Sequence, residues 1–120
     1  MWSTSAHQCR CGVMKIFRKL IRDNVPELMA AEGKKLKVRT LDGAEFITAL
    51  ENKLIEEIQE MRQAADAEER KSKLAYLYEV IETLIAASGF SESEIREIQN
   101  KDRSTRGGFS KRLFLEGVEE

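Results

Sequence analysis

An all-α fold, a small helical bundle, is what this chain predicts, and three observations carry the prediction. Apolar residues recur at three- and four-residue spacing along two long segments. Capping residues mark where the helical segments start and stop. Charged residues make up 34% of the chain against 42% hydrophobic, with a single proline and few aromatics, the profile of helices with solvated outer faces rather than of a β-sandwich. At 120 residues the expectation is one domain, near the size at which oligomerisation supplies extra burial.

Residues 1–13 are rich in small and polar residues and read as a disordered leader or a non-native extension, with Met14 a candidate start and residues 14–120 the domain proper. His7, Cys9 and Cys11 lie in this leader; three ligands in a short run fall short of a closed zinc site, so reduced thiols are expected. Helix one follows Asp23 or Asn24 as N-cap, takes Pro26 in its first turn, and runs through Glu32 to a stop at Gly33. Residues 36–40 alternate apolar and basic side chains, so they predict a short strand, and Arg112–Leu115 is its one candidate partner in a minor two-stranded ribbon.

Helix two opens on Asp42 with Glu45 three positions on, a capping-box pattern, and on a Leu41–Phe46 staple; it is expected to reach about Ala65. Phe46, Leu50, Leu54, Ile58 and Met61 form its predicted buried stripe. Helix three spans roughly Glu68 to Ser88 and stops at Gly89. Its apolar set, Leu74, Leu77, Tyr78, Ile81, Leu84 and Ile85, is broad enough to face two neighbours, one of them in a second subunit. Helix four repeats the grammar of helix two, with Ser91 as N-cap, Glu94 at the third position and a Phe90–Ile95 staple, and ends before Gly107-Gly108.

A formal net charge of -1 gives no general electrostatic case for binding a nucleic acid polymer. No apolar run approaches the ~20 residues that span a bilayer. The expectation is a cytoplasmic protein with no membrane partner.

Glu56-Glu57-x-x-Glu60 is the pattern with chemical content. Side chains three and four apart on a helix point the same way, so the three carboxylates can converge on one divalent cation. Such a run by itself is more often a solvated helix face than a site. The order of the surrounding motifs adds weight: Lys19-Leu20-Ile21-Arg22-Asp23-Asn24-Val25-Pro26 before it, Leu74-Ala75 and Glu79-Val80-Ile81 on helix three, and Arg106-Gly107-Gly108-Phe109 near the end. On these motifs residues 14–120 resemble the MazG-like all-α nucleoside triphosphate pyrophosphohydrolase superfamily, in particular its small house-cleaning branch, related in fold to phosphoribosyl-ATP pyrophosphohydrolase.

The resemblance implies a helical fold completed by oligomerisation, as a homodimer or homotetramer, and Mg²⁺-dependent (or Mn²⁺-dependent) hydrolysis of a nucleoside triphosphate to the monophosphate and pyrophosphate. It implies Glu56, Glu57 and Glu60 as catalytic metal ligands; an alternative register, Glu79-x-x-Glu82 later on helix three, offers Glu79 as a further ligand, with Glu82 turned about 120° from Tyr76 and less well placed. Lys19, Arg22, Arg106 and Lys111 become the phosphate-binding candidates. The sequence also departs from the family pattern: Lys73 and Tyr76 stand where a Glu and an Asp are expected on helix three. A protonated lysine cannot ligate Mg²⁺, and it can instead pair with a helix-two glutamate and take the cation's charge role. Two further readings are therefore carried alongside the enzyme: a catalytically impaired nucleotide- or metal-binding pseudoenzyme of the same fold, and a helical protein-interaction module.

Overall fold

The computed structural model describes residue 15 and residues 17–119. The leader, with His7, Cys9 and Cys11, lies outside the described residues. Four helices follow in order, α1 (Val25–Ala31), α2 (Gly43–Arg62), α3 (Ala67–Ala87) and α4 (Glu92–Arg106), and the described residues contain no strand. The all-α prediction holds, and none of the four helices is long and apolar enough to cross a membrane.

Local chemistry explains the boundaries. Pro26 sits in the first turn of α1, where its missing N–H costs nothing. Asn24 stands at the N-cap but makes no side-chain capping bond. Gly33 leaves α1 at a φ of 83°, with its N–H on the Ala30 carbonyl and the Lys34 N–H on that of Met29. Gly89 repeats the device after α3 at a φ of 85°, with Phe90 N–H reaching the Ile85 carbonyl. Both are Schellman stops, which need the left-handed conformation that glycine adopts without a Cβ clash.

At the helix starts, the Asp42, Asp66 and Ser91 side chains each accept the backbone N–H three residues on. The reciprocal half of the capping box forms only at α4, where Glu94 accepts the Ser91 N–H. At α2 the Glu45 carboxylate is drawn away by a two-pronged contact with the Arg39 guanidinium at 3.1 and 3.2 Å, so the predicted box is half made. α2 also stops at Arg62, short of Ala65, because Gln63 and Ala64 tighten onto the Glu60 and Met61 carbonyls before Asp66 caps α3.

The expected two-stranded ribbon does not form. Residues 36–40 are exposed and irregular, and Arg39 is committed to Glu45. Arg112, the first residue of the expected partner strand, takes a φ of 57° and closes a turn onto the Phe109 carbonyl, which takes the chain out of the extended region.

α2 and α3 form the packed centre, α4 touches only α3, and α1 makes no close contact with another helix. Among the described residues only two apolar side chains are buried, Leu50 of α2 and Val80 of α3. Ile58, expected in the buried stripe, is exposed, as are Leu74, Tyr78 and Ile81 of α3. A single hairpin covers one strip of each helix, and the broad apolar set of α3 exceeds what α2 and α4 can hide.

Candidate functional site

The three glutamates converge as their spacing requires. Carboxylate oxygens of Glu56, Glu57 and Glu60 all lie within 4.8 Å of one another. Glu57 occupies the α3-facing side of α2 and is 3% exposed, while Glu56 and Glu60 flank it at intermediate burial.

Two lysines already fill the space that these carboxylates enclose. Lys73, nearly two turns into α3, donates to Glu57 Oε1 at 3.1 Å and to Glu60 Oε1 at 2.6 Å. Lys53, one turn before Glu57 on α2, donates to Glu56 Oε1 at 2.8 Å and lies 3.7 Å from Glu57 Oε2. Lys53 is itself buried, at 8% exposure. A carboxylate and an ammonium removed from water this far persist only when each finds partners, and no buried side-chain nitrogen or oxygen among the described residues lacks one.

Tyr76 completes the network on the α3 side. The Arg22 guanidinium lies 4.9 Å and the Lys53 ammonium 5.6 Å from its ring centroid, both within cation–π range. Arg22 also approaches Glu79 at 3.9 Å, an exposed pair. The segment before α1 is thereby tied to α3 beside the acidic cluster.

The electrostatics follow from these contacts. The hydrogen bond from Lys53 holds the Glu56 carboxyl below the ordinary carboxylate range; burial opposes this, and the charges of Lys53, Lys19 and Lys73 add to it. Burial pulls the Lys53 ammonium down, but the bond to Glu56 and the charges of Tyr76, Glu56 and Glu57 outweigh it, leaving Lys53 above the ordinary lysine value. Lys73 is raised chiefly by its bond to Glu60; burial works against the rise and the bond to Glu57 with it.

A pH dependence of stability follows from these directions. Glu56, lowered in the fold, contributes stability that is present above its ordinary value of 4.5 and lost as pH falls through its folded value. Lys53 and Lys73, raised in the fold, contribute stability that is complete below 10.5 and lost as pH rises through their folded values. Thermal melts followed by circular dichroism should give a Tm that is flat between about pH 5.5 and 9.5 and falls on either side. A Tm sloping steadily across the neutral range would contradict this account of the network.

The remaining site candidates divide. Lys19 lies close enough to lower Glu56 through its charge, and Arg22 reaches Tyr76 and Glu79. Glu79 falls outside the three-carboxylate cluster and faces Arg22 instead. Arg106, at the end of α4, and Lys111, in the irregular segment after it, are exposed and make no ion pair with the cluster among the described residues. Lys53 is the participant that the acidic motif alone does not reveal. Its signal is the Lys53-x-x-Glu56-Glu57 spacing, which places an ammonium beside both carboxylates on one helix.

As a donor set for Mg²⁺ the arrangement does not fit. An octahedral site needs anionic or neutral oxygens from more than one side. Here α3 offers an ammonium at Lys73 and a ring engaged by two cations at Tyr76, and each of the three α2 glutamates is hydrogen-bonded to lysine.

No family model matches the chain, and no solved structure matches it. An uncharacterized protein of Mycolicibacterium smegmatis is 46% identical over 46 residues, covering 38% of this chain and 47% of the relative. The chain thus spans about half the length of that curated relative, whose name carries no activity.

Proposed function

We propose that the chain is a cytoplasmic, MazG-like nucleotide-binding pseudoenzyme, a relative of the nucleoside triphosphate pyrophosphohydrolases in which an internal lysine takes the place of the catalytic cation. The observation that carries this reading is Lys73, whose ammonium donates to Glu57 and Glu60 from the α3 position where the resemblance calls for a carboxylate. Two ammoniums, Lys53 and Lys73, against three carboxylates leave the cluster about one net negative charge, with both cations committed to carboxylates rather than to a triphosphate. Phosphate contacts then fall to basic groups at its edge, Lys19 and Arg22, with Arg106 and Lys111 as more distant candidates.

The test is pyrophosphate release by the purified chain from a panel of nucleoside triphosphates with Mg²⁺ or Mn²⁺, beside Glu57→Gln as control and with nucleotide binding followed by calorimetry. Binding weakened by Arg22→Ala, with release no greater than in the control, is the expected result. Robust release that Glu57→Gln abolishes would instead support a working Mg²⁺-dependent pyrophosphohydrolase. One observation favours that second reading: the oxygens of Glu56, Glu57 and Glu60 lie close enough together to share one ion if the Lys73 side chain swings out. Absence of nucleotide binding as well as release would sink both.

A further inference from the structure

α4 carries an apolar stripe that α3 only partly covers. At about 100° per residue, Ile95, Ile98 and Asp102 fall within an arc of roughly 60°. Ile98 is 60% exposed, and so is 54% of Phe90, just before the N-cap. The segment that follows α4 is equally bare. Phe109, Leu113, Phe114, Leu115 and Val118 are 77–96% exposed, and residues 113–119 make no hydrogen bond or ion pair among the described residues. Gly107 ends α4 at a φ of 83°, whereas Gly108 has no positive φ and open space where a Cβ would stand. Nothing in this arrangement calls for the second glycine, so what it offers is the freedom of a hinge. Beyond it the Arg112 N–H closes a turn onto the Phe109 carbonyl at 3.0 Å, which reverses the chain.

We propose that residues 112–118 are a strap that closes onto the α4 stripe of the same chain, running back from the end of the helix toward its start. An extended chain advances ~3.3 Å per residue and sets every second side chain on one face. Arg112, Phe114 and Val118 therefore share a face, with Phe114 ~7 Å and Val118 ~20 Å from Arg112. A helix advances ~1.5 Å per residue, which places Ile98 ~6 Å and Phe90 ~18 Å from Asp102. Arg112 thus meets Asp102, Phe114 meets Ile98, and Val118 meets Phe90. The charges fit as well: Asp102 and Arg112 are exposed, and neither has an ion-pair partner among the described residues. Glu116 comes over the first turn of α4, where the helix dipole attracts a carboxylate and Glu92 and Glu94 repel it, so it adds little either way. Leu113 and Leu115 stay on the outer face. The short tether through Gly107 and Gly108 keeps strap and stripe at high effective concentration, which favours the chain's own helix over any other surface.

Cross-linking of the full chain tests the strap, with circular dichroism to confirm that each variant keeps its helices. In a Cys9→Ser, Cys11→Ser background, Glu92→Cys puts one thiol at the start of α4 and Gly117→Cys another at the far end of the strap. A short bismaleimide joins the two readily within one chain only when the strap lies along the helix. Cross-linked monomer, read by mass and denaturing electrophoresis, is the expected product. Phe114→Ser should slow its formation by about tenfold, because the ring is the largest group the strap buries, while Leu113→Ser should leave the rate within about twofold. Asp102→Lys should slow it by about threefold, and adding Arg112→Asp should restore it. Product formed only between chains overturns the inference. So does a rate that ignores Phe114→Ser, that falls as far with Leu113→Ser, or that is indifferent to the charges at 102 and 112.

Discussion

Lys73→Glu combined with Tyr76→Asp should convert the lysine-bridged cluster into one that binds a divalent cation, raising Mn²⁺ affinity by about 10- to 100-fold over the wild-type chain. The exchange removes one positive charge and adds two negative ones beside Glu57 and Glu60. Each unit charge at 4 Å is worth up to ~4 kcal/mol at an effective dielectric of 20. Glu60 and Lys73 are partly exposed, so solvent screening reduces that figure. A net gain of about 1.4 to 3 kcal/mol remains, which is the stated range in affinity. Without metal the variant should melt below wild type, because the carboxylates repel where Lys73 formerly bridged them. Adding Mn²⁺ should raise the variant's Tm and leave that of the wild type unchanged. Calorimetry that detects no gain in affinity, or a variant whose Tm ignores Mn²⁺, would falsify the view that Lys73 stands in for the cation.

The parts of this molecule legible in its sequence are those decided within a few residues. Asp42 and Ser91 each place a side-chain oxygen on a backbone N–H three residues on, and Gly33 and Gly89 supply the positive φ that ends a helix. The convergence of Glu56, Glu57 and Glu60 is local in the same sense, because helical spacing alone produces it. The pairing of Lys73 spans two helices, and the expectation that it meets a helix-two glutamate rests on the resemblance, which sets Lys73 where a metal-ligating carboxylate would stand; the structure pairs it with two, Glu57 and Glu60. What could not be read required knowing what lies across a non-local contact. Alternation at residues 36–40 predicts a strand and leaves residues 112–115 as its partner, but a strand exists only where a partner supplies hydrogen bonds, and Arg112 turns away from extension. Ile58 belongs to the apolar periodicity of α2 and is nonetheless exposed, because period identifies an apolar face without specifying how much of it one neighbour covers. Tyr76 beside Arg22 depends on how the segment before α1 crosses α3, which no local pattern encodes.

Leu50→Ala is expected to destabilise the fold by about 3 kcal/mol, the middle of the range for emptying a buried leucine site. For a domain near 100 residues that corresponds to a Tm lower by roughly 10–20 °C. Leu50 is 2% exposed, and Val80 is the one other buried apolar side chain among the described residues, so few neighbouring groups are placed to collapse into the gap. Leu74→Ala is the informative contrast. Leu74 is 49% exposed within one chain, so in a monomer its truncation should cost less than about 1 kcal/mol. In an assembly that covers the outer flank of the hairpin the cost rises and becomes dependent on protein concentration, because stability there includes association. Thermal melts of both variants over a hundredfold range of concentration separate the contributions. The Leu50→Ala deficit should persist at every concentration, while the Leu74→Ala deficit should shrink on dilution below the dissociation constant. A Leu50→Ala protein as stable as wild type would mean that the α2–α3 contact is not where the fold's apolar stabilisation resides.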